Sequence, residues 1–158
     1  MDLYFLETMG SVFPQTKFAD VAQLRDKPEL ALYDEGSTNK YFHAVLNYVD
    51  DCGVVNLTFF KAFSGSKLEQ SEEFRLVDID VPTFFEPDRK WRLYALDAYC
   101  HLRTMLEGKI LSVSITTIDR DCSGREYIEL FVDGGSVNRL LVTAKYAQLC
   151  PLAKLSVL

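Results

Sequence analysis

The sequence predicts a mainly β fold with α (the α+β class), and three features of the 158-residue chain lead to this prediction. Short segments rich in β-branched and aromatic residues recur between turn residues, as in small barrels. Only a few segments have helical periodicity, the clearest near the middle of the chain. A composition of 48% hydrophobic and 25% charged residues is typical of a folded domain with a core.

The first half of the chain alternates apolar runs with turn residues, which predicts strands. A helical turn or two is predicted over 18–24, and a solvated loop or helical turn over the charged residues 67–73. The predicted strands cover 3–6, 30–33, 41–48, 54–60 and 74–81.

The second half begins with the clearest helix. Asp88 is suited to cap its first turn, and Gly108 lies just past its end. A stripe at spacings of three and four is predicted to face the core, namely Trp91, Ala95, Ala98, Leu102 and Met105. Alternation then predicts strands over 109–117 and 126–132, and Ser136 is predicted to cap a short final helix.

Charge and cysteine content narrow the function. The net charge of −6 argues against general nucleic-acid binding, which depends on Lys and Arg, and favours a basic partner. The four cysteines form no CxxC pair, and with His43 and His101 they show no zinc spacing, so neither a metal nor a cofactor is expected. No apolar stretch approaches the ~18 residues of a membrane span. The cysteines are therefore expected to be reduced thiols in a cytosolic or nuclear protein.

The residues from about 72 to 148 resemble the staphylococcal-nuclease type of OB barrel. The resemblance rests on four segments in the right order: the strand 74–82, the helix 95–108, the turn 119–125 and the helix 136–142. It implies a site of two arginines and several carboxylates that holds calcium and cleaves a phosphodiester.

Two departures from the family's pattern imply that this site is no longer catalytic. Arg75 and Arg125 match the two arginines and Asp80 matches the strand carboxylate, so these three are vestigial candidates. Gly53 stands where the first metal carboxylate is expected, and Thr83 where the general base is expected. A calcium site needs several oxygen ligands, so activity is expected to be lost unless Glu86 substitutes.

The segment upstream is similar to a Tudor lobe, on the strength of residues 30–36, 40–45 and 50–55. A Tudor-like small barrel joined to the nuclease-like OB barrel by a long helix is the arrangement of extended Tudor domains. The expected divisions are therefore an N-terminal segment over 1–27, which would have to supply the first strands of the nuclease-like barrel, a Tudor-like lobe over 28–71 and a nuclease-like lobe over 72–158.

Members of that family that bind methylated arginine use a cage of aromatic rings with a polar anchor. Tyr33, Tyr41, Phe60 and Phe63 are the candidate ligand-binding rings here. The acid and the asparagine of the family's cage segment are absent, and Lys61 would repel a cation. The cage is therefore expected to be degenerate.

These observations predict a scaffold without enzymatic activity that binds a basic peptide segment or a domain of a protein partner, and this binding is not expected to depend on arginine methylation. The resemblance implies a partner in small-RNA (piRNA-type) silencing and a location in cytoplasmic, perinuclear RNA granules. The alternatives are a methyl-arginine reader, an OB module that binds single-stranded RNA, and a calcium-dependent nuclease.

Overall fold

A computed structural model of the chain describes residues 21–35 and 40–151. A helical segment, α1, covers residues 21–26. The remaining elements are, in chain order, β1 (Tyr41–Val49), β2 (Val54–Phe63), β3 (Ser66–Leu76), β4 (Ile79–Asp80), α2 (Arg89–Leu106), β5 (Leu111–Arg120), β6 (Glu126–Val132), β7 (Gly135–Ser136), α3 (Val137–Thr143) and β8 (Gln148–Leu149), with a 3-10 turn over Asp51–Gly53.

Five strands close into a small barrel. The strand order is β3-β2-β1-β5-β6, with β7 added beyond β6, and β3 also pairs with β6. That closing pair is parallel, whereas the other barrel pairs are antiparallel. A separate two-stranded sheet joins β4 to β8. The mainly β class with some helix is confirmed, and the closed barrel is compatible with both the OB-like and the Tudor-like barrel.

The strands predicted at 41–48, 54–60 and 126–132 are confirmed, and the strand predicted at 109–117 lies at Leu111–Arg120. The loop predicted over 67–73 is wrong, because these residues form the outer part of β3. They pair with β2 from Phe63↔Ser66 onward, so backbone hydrogen bonds hold a strand whose charged side chains face solvent. The segment 30–33 contributes only an isolated bridge from Tyr33 to Lys61. The strand predicted at 3–6 lies outside the described residues.

Helix α2 begins as predicted, because the Asp88 side chain accepts a hydrogen bond from the Lys90 N–H. Its buried residues are Ala95, Ala98, Leu102 and Leu106. Trp91 was expected in this stripe but is 42% exposed, and Met105 is only partly buried. The first turn of the helix is therefore exposed to solvent.

The core fills the barrel with interlocking rings. Phe42, Phe59 and Phe74 have almost no exposed surface, and their ring centroids lie 5.0 to 5.9 Å apart. One such ring comes from each of β1, β2 and β3, so aromatic packing ties three neighbouring strands together. Leu102 and Leu106 of α2 belong to the same cluster.

One polar side chain is buried where the barrel closes. The Oδ1 atom of Asn138 in α3 accepts the Leu130 N–H at 3.1 Å. Its Nδ2 donates to the Val77 carbonyl at 3.0 Å and to the Ile128 carbonyl at 3.1 Å. Asn138 therefore links α3 to both sides of the parallel β3–β6 pair, and we call this region the barrel seam.

The strands that form the closed sheet can be compared with the predicted division of the chain into two lobes. Strands β1 and β2 lie within the segment predicted as a Tudor-like lobe, yet they share one closed sheet with β5 and β6. Helix α2 follows β4 of the separate two-stranded sheet and precedes β5 of that barrel. An arrangement of two barrels joined by a long helix is therefore not confirmed. None of the helices in the described ranges has the length and apolar character needed to cross a membrane.

A hydrogen bond to the His43 side chain holds the segment before β1 in place. Its Nδ1 accepts the Ala31 N–H at 2.8 Å, so the neutral ring carries its proton on Nε2, which lies 3.4 Å from the Tyr41 hydroxyl. Burial lowers the pKa of His43 below its usual value. Protonation on Nδ1 would break the bond to Ala31.

We expect Asn138→Ala to destabilise the protein by about 2–4 kcal/mol, because one backbone N–H and two carbonyls lose their buried partner. Urea unfolding at pH 7 measures this loss. Arg139→Ala, an exposed change in the same helix, is the control and is expected to cost below about 0.5 kcal/mol. Equal losses in the two variants would contradict the role of Asn138.

We expect the free energy of unfolding to fall as the pH drops below the unfolded-state pKa of His43, about 6.5. The folded-state pKa is lowered, so the stabilisation is complete above that value and is lost as the pH falls through the folded pKa. Urea unfolding of the wild type and of His43→Gln from pH 7.5 to 5 measures the difference. Parallel curves for the two proteins would show that His43 has no such effect.

Candidate functional site

The two arginines of the nuclease-like pattern meet at one carboxylate. Asp121, in the turn between β5 and β6, lies 3.8 Å from Nη1 of Arg75 and 3.3 Å from Nη1 of Arg125, measured to Oδ2. Arg125 Nη2 also lies 3.8 Å from a carboxylate oxygen of Glu73. Because Glu73 and Arg75 belong to β3, this cluster spans the barrel seam from the loop side.

The surroundings of Asp121 keep it charged. Its side chain is only 3% exposed. Burial acts to raise its pKa, but hydrogen bonds from the backbone and side chain of Arg125 and from the Ser123 N–H outweigh burial and lower the pKa. Arg125 Nε is buried with no hydrogen-bond partner in the described ranges. Both guanidinium groups are thus held by protein carboxylates.

The positions expected to bear the metal ligand and the base have different chemistry. Gly53 has φ +75°, and a Cβ placed there would lie 3.0 Å from Val81 Cγ2, so an aspartate would not fit without movement. Thr83 donates its hydroxyl proton to Asp51 Oδ2 at 2.5 Å. Asp51 Oδ1 accepts the Phe84 and Cys52 N–H groups. Asp51 therefore stabilises the loop that follows β4.

Asp80 and Glu86 lie elsewhere. Both line a cleft beside α2, whereas Arg125 lines a different cavity that shares no lining residue with it. In the described part of the chain, no three His, Cys, Asp or Glu side chains form a group that could hold a metal ion. The residues present do not fit the calcium site that the nuclease resemblance implies.

The four rings proposed as ligand-binding are not brought together. Tyr33 is buried in the main core against Phe42, and Phe60 lies in a second cluster with Leu24. Tyr41 is exposed, and its hydroxyl donates to Ser112.

Phe63 lies at the end of β2 and is 61% exposed. The position above Tyr33 is already taken, because Lys61 Nζ lies 6.0 Å from that ring's centroid and 2.6 Å from Glu35. Within the described residues, the chain forms no four-ring cage from Tyr33, Tyr41, Phe60 and Phe63.

Sequence reasoning missed a different feature, a cavity of about 450 Å³ between β3 and the β5–β6 turn. We call it the acidic cavity, because its charged lining consists of Glu35, Glu72, Glu73, Glu126, Arg120 and Arg125. The run Glu72-Glu73 gave a signal, but the predicted loop placed it outside any site. The rings of Tyr33 and Tyr48 border the same space.

Two side chains in the lining of the acidic cavity have pKa values above their usual range. Burial and then the charges of Glu126 and Glu72 raise the pKa of Tyr33 to about 12. Desolvation and then Glu126 raise the pKa of Glu72. Both shifts come first from burial and then from neighbouring carboxylates, and a bound cation would offset the second cause.

Neither models of known protein families nor curated proteins give a match to this sequence.

We expect Asp121→Asn to destabilise the fold by about 2–4 kcal/mol, because two part-buried guanidinium groups lose their shared counter-charge. Asp133→Asn is the matched control. Asp133 pairs with Lys109 at 2.7 Å but is 74% exposed, so this change is expected to cost below about 1 kcal/mol. Denaturant unfolding of both variants distinguishes them, and a small loss in Asp121→Asn would show that the cluster does not stabilise the seam.

Proposed function

We propose that this protein is a binding module without enzymatic activity that takes a basic segment of a protein partner in the acidic cavity. The observation that carries the proposal is the lining, in which four glutamates face two arginines. OB-type barrels bind ligands over their second and third strands and the loop between the fourth and fifth. The acidic cavity occupies that position, with Asn56 in β2, Ser71 in β3 and Ser123 in the β5–β6 turn.

The charges in the cavity favour a cationic ligand. Arg125 is engaged by Asp121 and Glu73, and Arg120 lies 3.8 Å from Glu126. Glu72 has no ion pair among the described residues, although its pKa is raised. An arginine or lysine side chain would supply that missing counter-charge, whereas a phosphate backbone would be repelled.

The absence of catalysis is part of the proposal and has its own support. A phosphoryl-transfer site needs arginines free to stabilise the developing charge and a base to activate water. Here Arg75 and Arg125 share Asp121, and Thr83, in the position of the base, donates to Asp51.

The choice of partner rests on the sequence resemblance. Extended Tudor domains imply a partner in small-RNA (piRNA-type) silencing and a location in cytoplasmic granules. Arginine-rich tails of Argonaute-type proteins have the charge that the acidic cavity would accept, so they are the first ligands to test.

We expect an arginine-rich peptide to bind, and Glu72→Gln to weaken its binding by about fivefold or more. Glu69→Gln is the matched control, since Glu69 lies on the same strand but does not line the cavity. Calorimetry measures both affinities. Because the pKa of Glu72 is raised from 4.5, wild-type binding should strengthen as the pH rises above that value, and Glu72→Gln should lose this dependence.

The same assay separates the alternatives. Peptides with methylated arginine test a methyl-arginine reader, and a strong preference for methylation would replace the proposal. Salt-sensitive binding of single-stranded RNA would indicate an OB module for nucleic acid. Calcium-dependent release of nucleotides that Arg75→Ala abolishes would establish a nuclease.

A further inference from the structure

A second cavity, of about 490 Å³, lies between the start of α2 and the end of α3. We call it the aromatic cleft, because the rings of Trp91, Tyr94 and Tyr146 line it. Its volume falls within the range of ligand pockets, roughly 300–1,000 Å³. The charged residues of its lining are Asp80, Glu86 and Lys145.

Two of the rings are open to a ligand. Trp91 is 42% exposed and Tyr94 is 38% exposed, and their centroids lie 5.4 Å apart at an interplanar angle of 37°. Tyr146 differs, because His101 stacks on it at 4.7 Å and fixes one of its faces. Trp91 already has a cation nearby, since Lys90 Nζ lies 6.0 Å from its centroid.

The charge of the cleft points to the kind of ligand. Asp80 and Glu86 have no ion pair among the residues described, whereas nine other carboxylate–cation contacts are formed elsewhere. The backbone next to Glu86 is held in place, because Arg92 Nη1 donates to the carbonyls of Glu86 and Pro87. A fixed loop with unpaired carboxylates beside open indole and phenol faces is suited to a planar organic cation.

We propose that the aromatic cleft binds the arginine side chain of a peptide, with the guanidinium stacked on Trp91 and Tyr94 and its charge met by Asp80 and Glu86. Arginine fits better than lysine, since its planar group stacks on rings and donates to two carboxylates at once. This site does not depend on the acidic cavity, which is lined by other residues.

The chain contains a single tryptophan, so its intrinsic tryptophan fluorescence comes from Trp91, which lines this cleft. A blocked glycine peptide with one central arginine is titrated into the full chain, beside its uncharged citrulline counterpart. The arginine peptide is expected to give a saturable change with an affinity about tenfold or more above that of citrulline. Glu72→Gln is expected to leave this signal unchanged, which separates it from binding in the acidic cavity.

Variants test the lining. Glu86→Gln is expected to weaken binding about threefold or more, and Asp97→Asn, an exposed change on α2 outside the cleft, is expected to have no effect. Tyr94→Leu should weaken binding, while Tyr94→Phe, which keeps the ring, should retain it. Lys145→Asn removes a cation from the cleft lining and is expected to tighten binding about twofold or more.

Equal affinity for the arginine and citrulline peptides would overturn the proposal, because the ligand would not be recognised as a cation. So would a fluorescence signal that never saturates, or a saturable signal that Glu86→Gln and Tyr94→Leu leave unchanged. Loss of the tryptophan signal in Glu72→Gln would place the binding in the acidic cavity instead.

Discussion

The fold depends on how a five-stranded sheet closes on itself with a short parallel contact. Only three residue pairs join β3 to β6, from Phe74↔Glu126 to Leu76↔Ile128. One further hydrogen bond, from the Val77 N–H to the Ile128 carbonyl, lengthens the contact. Because so short a ladder contributes little alone, the buried amide of Asn138 and the apolar core to which both strands contribute must hold the two edges together.

The charged cluster around Asp121 acts on the same closure from outside. Glu73 and Arg75 belong to β3, while Asp121 and Arg125 belong to the turn that leads into β6. Each ion pair therefore crosses the place where the barrel closes or braces the turn beside it. Arg75 and Arg125, the residue types that stabilise a reaction in a nuclease, thus have a structural role at this closure. Their presence in a sequence is consequently weak support for catalysis.

Much of the barrel could be predicted from sequence, because alternation and caps are local signals. The strand 126–132 and the caps at Asp88 and Ser136 follow from residue types within a few positions. The outer half of β3 could not, because its charged residues owe their conformation to pairing with β2. The grouping of side chains around the cavities could not be predicted from the sequence either. Tyr33 and Phe60 are buried, whereas Trp91 is exposed. This difference depends on where the barrel closes and on how α2 lies against it.

The parallel seam also shapes the route by which the chain reaches its fold. Its two strands lie about fifty residues apart in sequence, whereas the β2–β3 hairpin and α2 form from near neighbours. Loop-closure entropy therefore opposes early joining of β3 to β6, as it opposes the pairing of β1 with β5, whose partners lie still further apart in sequence. Until β3 and β6 join, both edges are unpaired, and the newly made chain is exposed to association with other strands. The charged side chains along the outer part of β3 oppose such association at one of those edges.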